Sequence, residues 1–137
     1  QTLGRKTGDC DDFTVLFSAL YEGAGIKTAV AATPGHIFLL VEMPQGKLPS
    51  LVAFEGRKWL PLELTALNEG FMTAWAKGYS QYQASAEKEV KSIAEMVAEY
   101  PPLVPLEPFT LSAVLKAFDL EEAYKQTAKE IKAWSGK

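Results

Sequence analysis

The chain contains one cysteine, Cys10, and one histidine, His36, and these two residue types together can carry out acyl transfer through a thiol. A thiolate is the nucleophilic form of cysteine, and a helix N-terminus stabilises it through the helix dipole and unpaired backbone N–H groups. Cys10 falls in the first turn of a predicted helix, with Asp9 as its N-cap. Negative charge on Asp9, Asp11 and Asp12 opposes formation of the thiolate, so a cationic partner is required. The alternative is that Cys10 is a small buried apolar residue, as lone cysteines often are.

His36 is the candidate partner, because imidazole is the side chain that changes charge near neutral pH. It follows the turn residues Pro34 and Gly35 and begins the apolar run 37–41, which is typical of a strand. If it reaches Cys10, its imidazolium can hold the thiolate as an ion pair and later protonate a leaving amine. The alternative role is a histidine that caps a turn.

A third group has to orient the imidazole, as the acid does in a Ser-His-Asp triad. Glu63 is an acid among apolar residues at the end of a predicted strand. Glu42 and Glu55 are rivals: Glu42 ends the strand that His36 begins, and Glu55 falls in a turn where solvent surrounds it. Glu63 is the best candidate of the three, although spacing alone does not place it beside the ring.

The elements that must position these residues follow from periodicity and from turn residues. Apolar residues at helical spacing predict a helix over 12–22, which Gly23 and Gly25 end. Four strands are predicted, over 27–32, 37–42, 51–54 and 58–62. An apolar stripe predicts helix over 71–99, with Gly78 and Ser80 as points where it breaks or kinks. This order of a helix, four strands and further helices predicts an α+β fold with an antiparallel sheet.

Length and composition indicate one compact domain: the chain has 137 residues, and 47% of them are hydrophobic. We expect a core over residues 1–100, a proline-rich linker over 101–109 and a helical extension over 110–137. The net charge of −3 and the lack of a basic stripe argue against a nucleic-acid partner, and no apolar stretch is long enough to insert into a membrane. A single Cys and a single His favour chemistry without a metal, and no cofactor is expected.

Three segments, in this order and spacing, resemble the transglutaminase-like superfamily of the papain-like cysteine enzymes. They are Gly8-Asp9-Cys10-Asp11-Asp12 with the helix that follows, Gly35-His36-Ile37, and Trp59-Leu60-Pro61-Leu62-Glu63-Leu64-Thr65. The likeness covers residues 5–80, and the segment 71–78 is similar to the helix after the acid in a bacterial subgroup. That subgroup occurs in longer, often exported, repeat-containing proteins. The resemblance therefore implies an extracytoplasmic fragment that packs against other domains of a parent chain, in keeping with a first residue other than Met.

The resemblance implies a papain-like core in which Cys10 is the nucleophile, His36 the general base and acid, and Glu63 the orienting acid. Most members use Asp at the last position, so Glu63 is a departure whose extra methylene must be absorbed. The implied reaction is acyl transfer on peptide or carboxamide bonds of a protein or peptide substrate, with hydrolysis expected rather than cross-linking. The backbone N–H of Cys10 is one expected oxyanion donor, and Gln1 is the one upstream amide side chain. Trp59 is a candidate substrate contact, although aromatic residues at such spacing more often belong to the core.

Two other readings stay open. A non-catalytic binding or scaffold module would retain the fold while the acidic surroundings of Cys10 and the departure at Glu63 limit its chemistry. Alternatively, the C-terminal helices, with Tyr124, Ile131 and Trp134 on one face, would form a docking surface for the parent chain.

Overall fold

The computed structural model describes residues 7–43, 48–101 and 120–135, and its centre is an antiparallel sheet of five strands. The spatial order is β3-β4-β2-β1-β5, so β2 lies in the middle of the sheet. The strands are β1 (Thr28–Thr33), β2 (His36–Glu42), β3 (Val52–Phe54), β4 (Arg57–Leu62) and β5 (Glu89–Ser92). The α+β class is therefore confirmed, with one strand more than the sequence predicted.

Helix α1 (Cys10–Gly23) precedes the sheet, and its start is fixed by a side-chain cap. Asp9 has an extended backbone, and its carboxylate accepts the N–H of Asp12 at 3.1 Å. The predicted N-cap is confirmed, and Cys10 becomes the first residue of the helix. The other end of α1 is tied to the sheet by Glu22, whose Oε1 accepts the backbone N–H and the hydroxyl of Thr28 at 2.5 and 2.8 Å.

Tight turns set the register of the two hairpins that carry the candidate site. Pro34 and Gly35 join β1 to β2, and the positive φ of 75° at Gly35 favours glycine at this position. Glu55 and Gly56 join β3 to β4, and both have positive φ, as a two-residue type I′ hairpin requires. The pairing therefore begins at His36 in β2 and at Arg57 in β4.

The core lies on both faces of the sheet, because successive residues of β2 point to opposite sides. One face, which we call the α1 face, carries Leu39 and Val41 of β2 with Leu60 and Leu62 of β4, and Phe13, Phe17 and Tyr21 of α1 pack on it. The other face, which we call the open face, carries Phe38 and Leu40 with Ala29, Ala31 and Trp59, and Tyr79, Tyr82 and Val90 pack there. His36 is two residues before Phe38 in β2, so the same alternation directs its side chain to the open face.

After β4, a 3₁₀ helix (Leu64–Glu69) leads into α2 (Phe71–Ala84), which runs along β4. β3 pairs with residues 57–59 of β4, so the later residues of β4 have no strand on that side, and α2 contacts them instead. The predicted break at Gly78 and Ser80 is wrong, since α2 is continuous through both residues. Gly78 is required for contact: a Cβ there would lie 2.7 Å from the carbonyl oxygen of Pro61 and 2.9 Å from the nitrogen of Glu63.

The prediction of helix over 71–99 is also wrong for residues 85–92, whereas residues 71–84 and 93–99 are helical as predicted. The chain leaves α2 at Ser85 and forms β5, which pairs with the edge of β1, before α3 (Ile93–Glu99) begins. Ser92 starts α3 with a capping box in which its hydroxyl accepts the Glu95 N–H and the Glu95 carboxylate accepts the Ser92 N–H. Val90 therefore packs on the open face from a strand.

The last described element is α4 (Leu120–Ser135), which contacts α2. Tyr124 is 75% exposed on α4, and Ile131 is half-buried. The predicted linker over 101–109, except for Pro101, and residues 110–119 of the predicted helical extension lie outside the described residues, and so does the side chain of Trp134. None of the described helices combines the length and apolar character that a bilayer-spanning segment needs.

Candidate active site

The direction of α1 places Cys10 at the end of the sheet where His36 begins β2. The C-terminal end of α1 is bound through Glu22 to Thr28, and Thr28 pairs with Val41 near the far end of β2. A 14-residue helix extends about 21 Å, close to the length of a seven-residue strand. The N-terminus of α1 therefore lies at the opposite end of β2, and α1 also contacts the 3₁₀ helix that follows Glu63.

Cys10 lies on the side of α1 that faces the sheet. It precedes Thr14 by one turn, and Thr14 is 1% exposed, whereas Val15 on the outer side is 70% exposed. The thiol is half-buried, and its sulfur contacts Oδ1 of Asp11 at 3.5 Å. Within residues 7–43, 48–101 and 120–135, Cys10 and His36 form no hydrogen bond with each other.

His36 and Glu63 are brought together by the register of β2 and β4. Leu39 pairs with Leu62, so Glu63, one residue further along, comes level with the first residues of β2. Nε2 of His36 lies 2.5 Å from Oε2 of Glu63, a short hydrogen bond between residues 27 positions apart. We call these two residues the His–Glu pair. Of the acids weighed from sequence, Glu63 is the one that contacts the ring.

Glu63 is itself held by the turn that follows it. It is 3% exposed and is the N-cap of the 3₁₀ helix, where its Oε1 accepts the backbone N–H of Thr65 at 3.1 Å and its hydroxyl at 2.5 Å. Burial alone would raise the pKa of Glu63, but the hydrogen bonds from Thr65 and His36 outweigh burial, so the pKa of this carboxyl is lowered. Glu63 is therefore a carboxylate at neutral pH although it is buried.

The contact with Glu63 assigns different roles to the two ring nitrogens of His36. A carboxylate only accepts hydrogen bonds, so Nε2 carries the proton that is donated to Oε2. Nδ1 makes no hydrogen bond within the described part of the chain, and in the neutral ring it has a lone pair. Nδ1 is thus the nitrogen that can accept a proton from a thiol.

The ring and the thiol approach the start of β2 from different faces of the sheet. His36 stacks on Phe38, with ring centroids 6.1 Å apart, and so belongs to the open face, whereas α1 packs on the α1 face. A cavity of about 410 Å³ lies beside the His–Glu pair and is lined also by Thr65, Lys77, Ser80 and Gln81, but not by Cys10. A contact between the sulfur of Cys10 and Nδ1 of His36 would therefore have to be made around the end of the sheet.

The remaining predicted site residues lie elsewhere. Trp59 is 2% exposed in the core, and its ring N–H donates to the carbonyl of Phe54 at 3.1 Å, so this placement gives no support to a substrate contact. Glu42 binds Arg57 at 3.2 Å, and Glu55 is exposed at the tip of its turn. Gln1 lies outside the described residues. Cys10, as the first helical residue, has a backbone N–H without a partner inside the helix, which is the donor expected of it.

Sequence reasoning gave Thr65 no role, although it makes two hydrogen bonds to the acid, at 2.5 and 3.1 Å. The signal was present as an acid followed two positions later by Thr, a spacing at which side chain and backbone commonly bond. The described residues contain no group of three or more His, Cys, Asp or Glu side chains able to hold a metal ion. No protein-family model, curated protein or solved structure matches this chain.

Proposed function

We propose that this chain is a cysteine-dependent acyl-transfer domain of transglutaminase-like type with a papain-like core, acting on peptide or carboxamide bonds. The observation that carries the proposal is the contact between His36 Nε2 and Glu63 Oε2 at 2.5 Å. A buried carboxylate that fixes one ring nitrogen, and leaves the other unpaired, is the arrangement a general base requires. Cys10, at a helix N-terminus on the same end of the sheet, is the nucleophile.

The mechanism proceeds in two halves. In the first, Nδ1 of His36 takes the thiol proton, the sulfur of Cys10 attacks the carbonyl carbon, and the imidazolium gives that proton to the departing amine, which leaves a thioester. In the second, the neutral ring takes a proton from water, the hydroxide adds to the thioester, and the proton returns to the sulfur as the carboxylic acid is released. Glu63 keeps its negative charge throughout and stabilises the imidazolium of both halves.

For this chemistry the sulfur must exchange its contact with Asp11 for one with Nδ1. The sulfur and the carboxylate belong to adjacent residues, and their 3.5 Å contact is a weak one. Rotation of the Cys10 side chain breaks this contact at little cost, because the contact is weak. The extra methylene of Glu63 does not prevent the role of orienting acid, since the side chain folds back onto Thr65.

Alkylation of Cys10 by iodoacetamide tests the proposal without knowledge of the substrate, and the single cysteine makes the signal unambiguous. At about pH 6, where ordinary thiols are almost entirely protonated, the wild type should react about tenfold or more faster than a cysteine-containing peptide. His36→Gln should lose that excess, while Glu42→Gln, which removes an acid outside the His–Glu pair, should retain it. A wild-type rate equal to that of the peptide throughout the pH range would refute a catalytic thiol.

A non-catalytic binding module is the second candidate, and two observations favour it: the sulfur contacts Asp11, and the cavity beside the His–Glu pair does not include Cys10. In that case the pair only stabilises the end of the sheet. The two candidates differ in the same experiment, because a binding module would show peptide-like alkylation in the wild type and in His36→Gln alike.

A further inference from the structure

Thr65 touches neither the imidazole nor the thiol in any hydrogen bond of the described residues, yet it makes two bonds to the acid of the His–Glu pair. We propose that Thr65 is a positioning residue, whose hydroxyl and backbone N–H hold one oxygen of Glu63 so that the other oxygen is presented to His36. The consequence for reaction rate rests on the proposed function, whereas the positioning itself does not.

The proposal follows from how the hydrogen bonds to Glu63 are divided between its two carboxylate oxygens. Oε1 receives both bonds from Thr65, at 2.5 and 3.1 Å, and Oε2 receives the single bond from His36. A carboxylate fixed at one oxygen by two donors in different directions cannot rotate without losing one of them. The direction of Oε2 is therefore set from the Thr65 side of the group.

The same contacts explain how a Glu works at this position. The side chain curls back to cap the N–H two residues ahead, and this curl uses the length of the extra methylene. An Asp side chain is one methylene shorter, so when it caps Thr65 from the same backbone position it reaches less far toward His36. We therefore expect Glu63→Asp to lose one of the two contacts, and Thr65 to be the residue that makes Glu the suitable acid here.

The electrostatic surroundings agree with this role. Burial raises the pKa of Glu63, and the hydrogen bond from the Thr65 hydroxyl contributes most to lowering it. The other titratable groups facing the cavity are His36 from β2, Glu69 from the 3₁₀ helix and Lys77 from α2, and Lys77 is bound to Glu69 at 2.6 Å. Loss of the hydroxyl should thus raise the pKa of Glu63 and weaken its bond to the ring.

The test is proton NMR of the ring N–H of the single histidine, which needs no assignment. In the wild type the Nε2 proton should give a downfield resonance that exchanges slowly with water, as a short bond to a buried carboxylate implies. Thr65→Val keeps the shape but removes the hydroxyl, and should broaden or abolish the resonance. Thr65→Ser should restore it.

Thr33→Val is the matched control, because the Thr33 hydroxyl also bonds to His36, but at its backbone carbonyl, at 3.3 Å. It should leave the resonance unchanged even if it lowers the melting temperature. Thr65→Ala serves if Thr65→Val does not fold. A slowly exchanging Nε2 proton in a folded variant that lacks the Thr65 hydroxyl would overturn the proposal, as would its absence from the wild type.

The alkylation rate of Cys10 separates this inference from the proposed function. If both hold, Thr65→Val should lower the rate at about pH 6 by about tenfold, the change that loss of one hydrogen bond to a charged group gives. If the NMR result is as expected and alkylation does not depend on His36, Thr65 positions the acid of a pair that is not catalytic. Failure of the positioning role would therefore appear in the NMR result, and failure of the proposed function would appear in the alkylation rate.

Discussion

Glu63 and Cys10 lie at the same end of the sheet, but the fold holds them in different ways. Glu63 is 3% exposed, its two oxygens accept three hydrogen bonds, and its backbone N–H donates to the carbonyl of Ala74 in α2 at 3.0 Å. Cys10 is at a helix tip where the described side-chain hydrogen bonds are the cap by Asp9 and the contact with the neighbouring carboxylate of Asp11. The proposed orienting acid is thus fixed by tertiary packing, whereas the proposed nucleophile lies at a helix tip where the side-chain hydrogen bonds are local.

This difference shows that the acid of such a site can be rigidly held while the thiol is not. A general base needs its orienting acid to be held within a narrow range of geometry, and buried neighbours provide this. A thiol has to move toward the substrate carbonyl and back, so a lightly held position is compatible with its role. Substitutions at the two halves should therefore differ in what they change, stability at Glu63 and reactivity at Cys10.

The largest effect is expected from Gly78→Ala in α2. The new Cβ would lie within 3 Å of backbone atoms of Pro61 and Glu63, neither of which can give way without moving the end of β4. We expect a loss of about 2 to 3 kcal/mol in the free energy of unfolding, measured by denaturant titration. Gly23→Ala is the matched control at the end of α1, where a Cβ meets nothing within 4 Å, and it should be neutral or stabilising. Equal losses in the two variants would contradict this account.

Glu63→Gln should have the next largest effect. It keeps the shape but removes the charge that strengthens the bonds from Thr65 and His36, and we expect a loss of about 2 kcal/mol in the free energy of unfolding. Glu42→Gln breaks the ion pair with Arg57, whose side chain is 58% exposed, and should cost less than about 1 kcal/mol. If Glu42→Gln destabilised the fold more than Glu63→Gln does, the buried pair would not be the rigid half of the site.

Lowering the pH should selectively reduce the contribution of Glu63 to the free energy of unfolding. The pKa of Glu63 is lowered in the fold, so its contribution to stability is present above the unfolded value of about 4.3 and is lost as the pH falls through the lower folded value. The stability difference between wild type and Glu63→Gln should thus be constant above about pH 5 and shrink below about pH 4. Denaturant titrations of both proteins across this range measure it, and a difference that grows in acid would show the opposite sign.

The smallest effect is expected at the helix tip. Asp9→Ala removes the cap of α1 and should cost about 1 kcal/mol, whereas Asp9→Asn keeps an accepting oxygen and should cost little. Because the cap is separate from the His–Glu pair, the ring N–H resonance of His36 should be the same in both variants. A change in that resonance in Asp9→Ala alone would mean that the two halves are coupled.

Local chemistry made much of the fold predictable. Asp9 before a helical apolar pattern predicted α1, and the turns at Pro34-Gly35 and Glu55-Gly56 predicted both hairpins, because caps and turns depend on residues close in the chain. β5 was missed because four residues at a sheet edge form a strand only when β1 is there to pair with them. Gly78 was wrongly predicted to break the helix, because glycine is needed there for a close backbone contact with β4 that the sequence does not show.

The sequence by itself determined the candidates: a single thiol at a helix start, a single imidazole at a strand start, and an acid at a strand end. Tertiary structure alone decided which acid meets the ring, since the pairing of β2 with β4 brings together residues 27 positions apart. It also decided that α1 and the ring of His36 occupy different faces of the sheet, and that Thr65 holds Glu63. The physical reason is that periodicity defines the faces of each element, whereas strand register and packing define which faces meet.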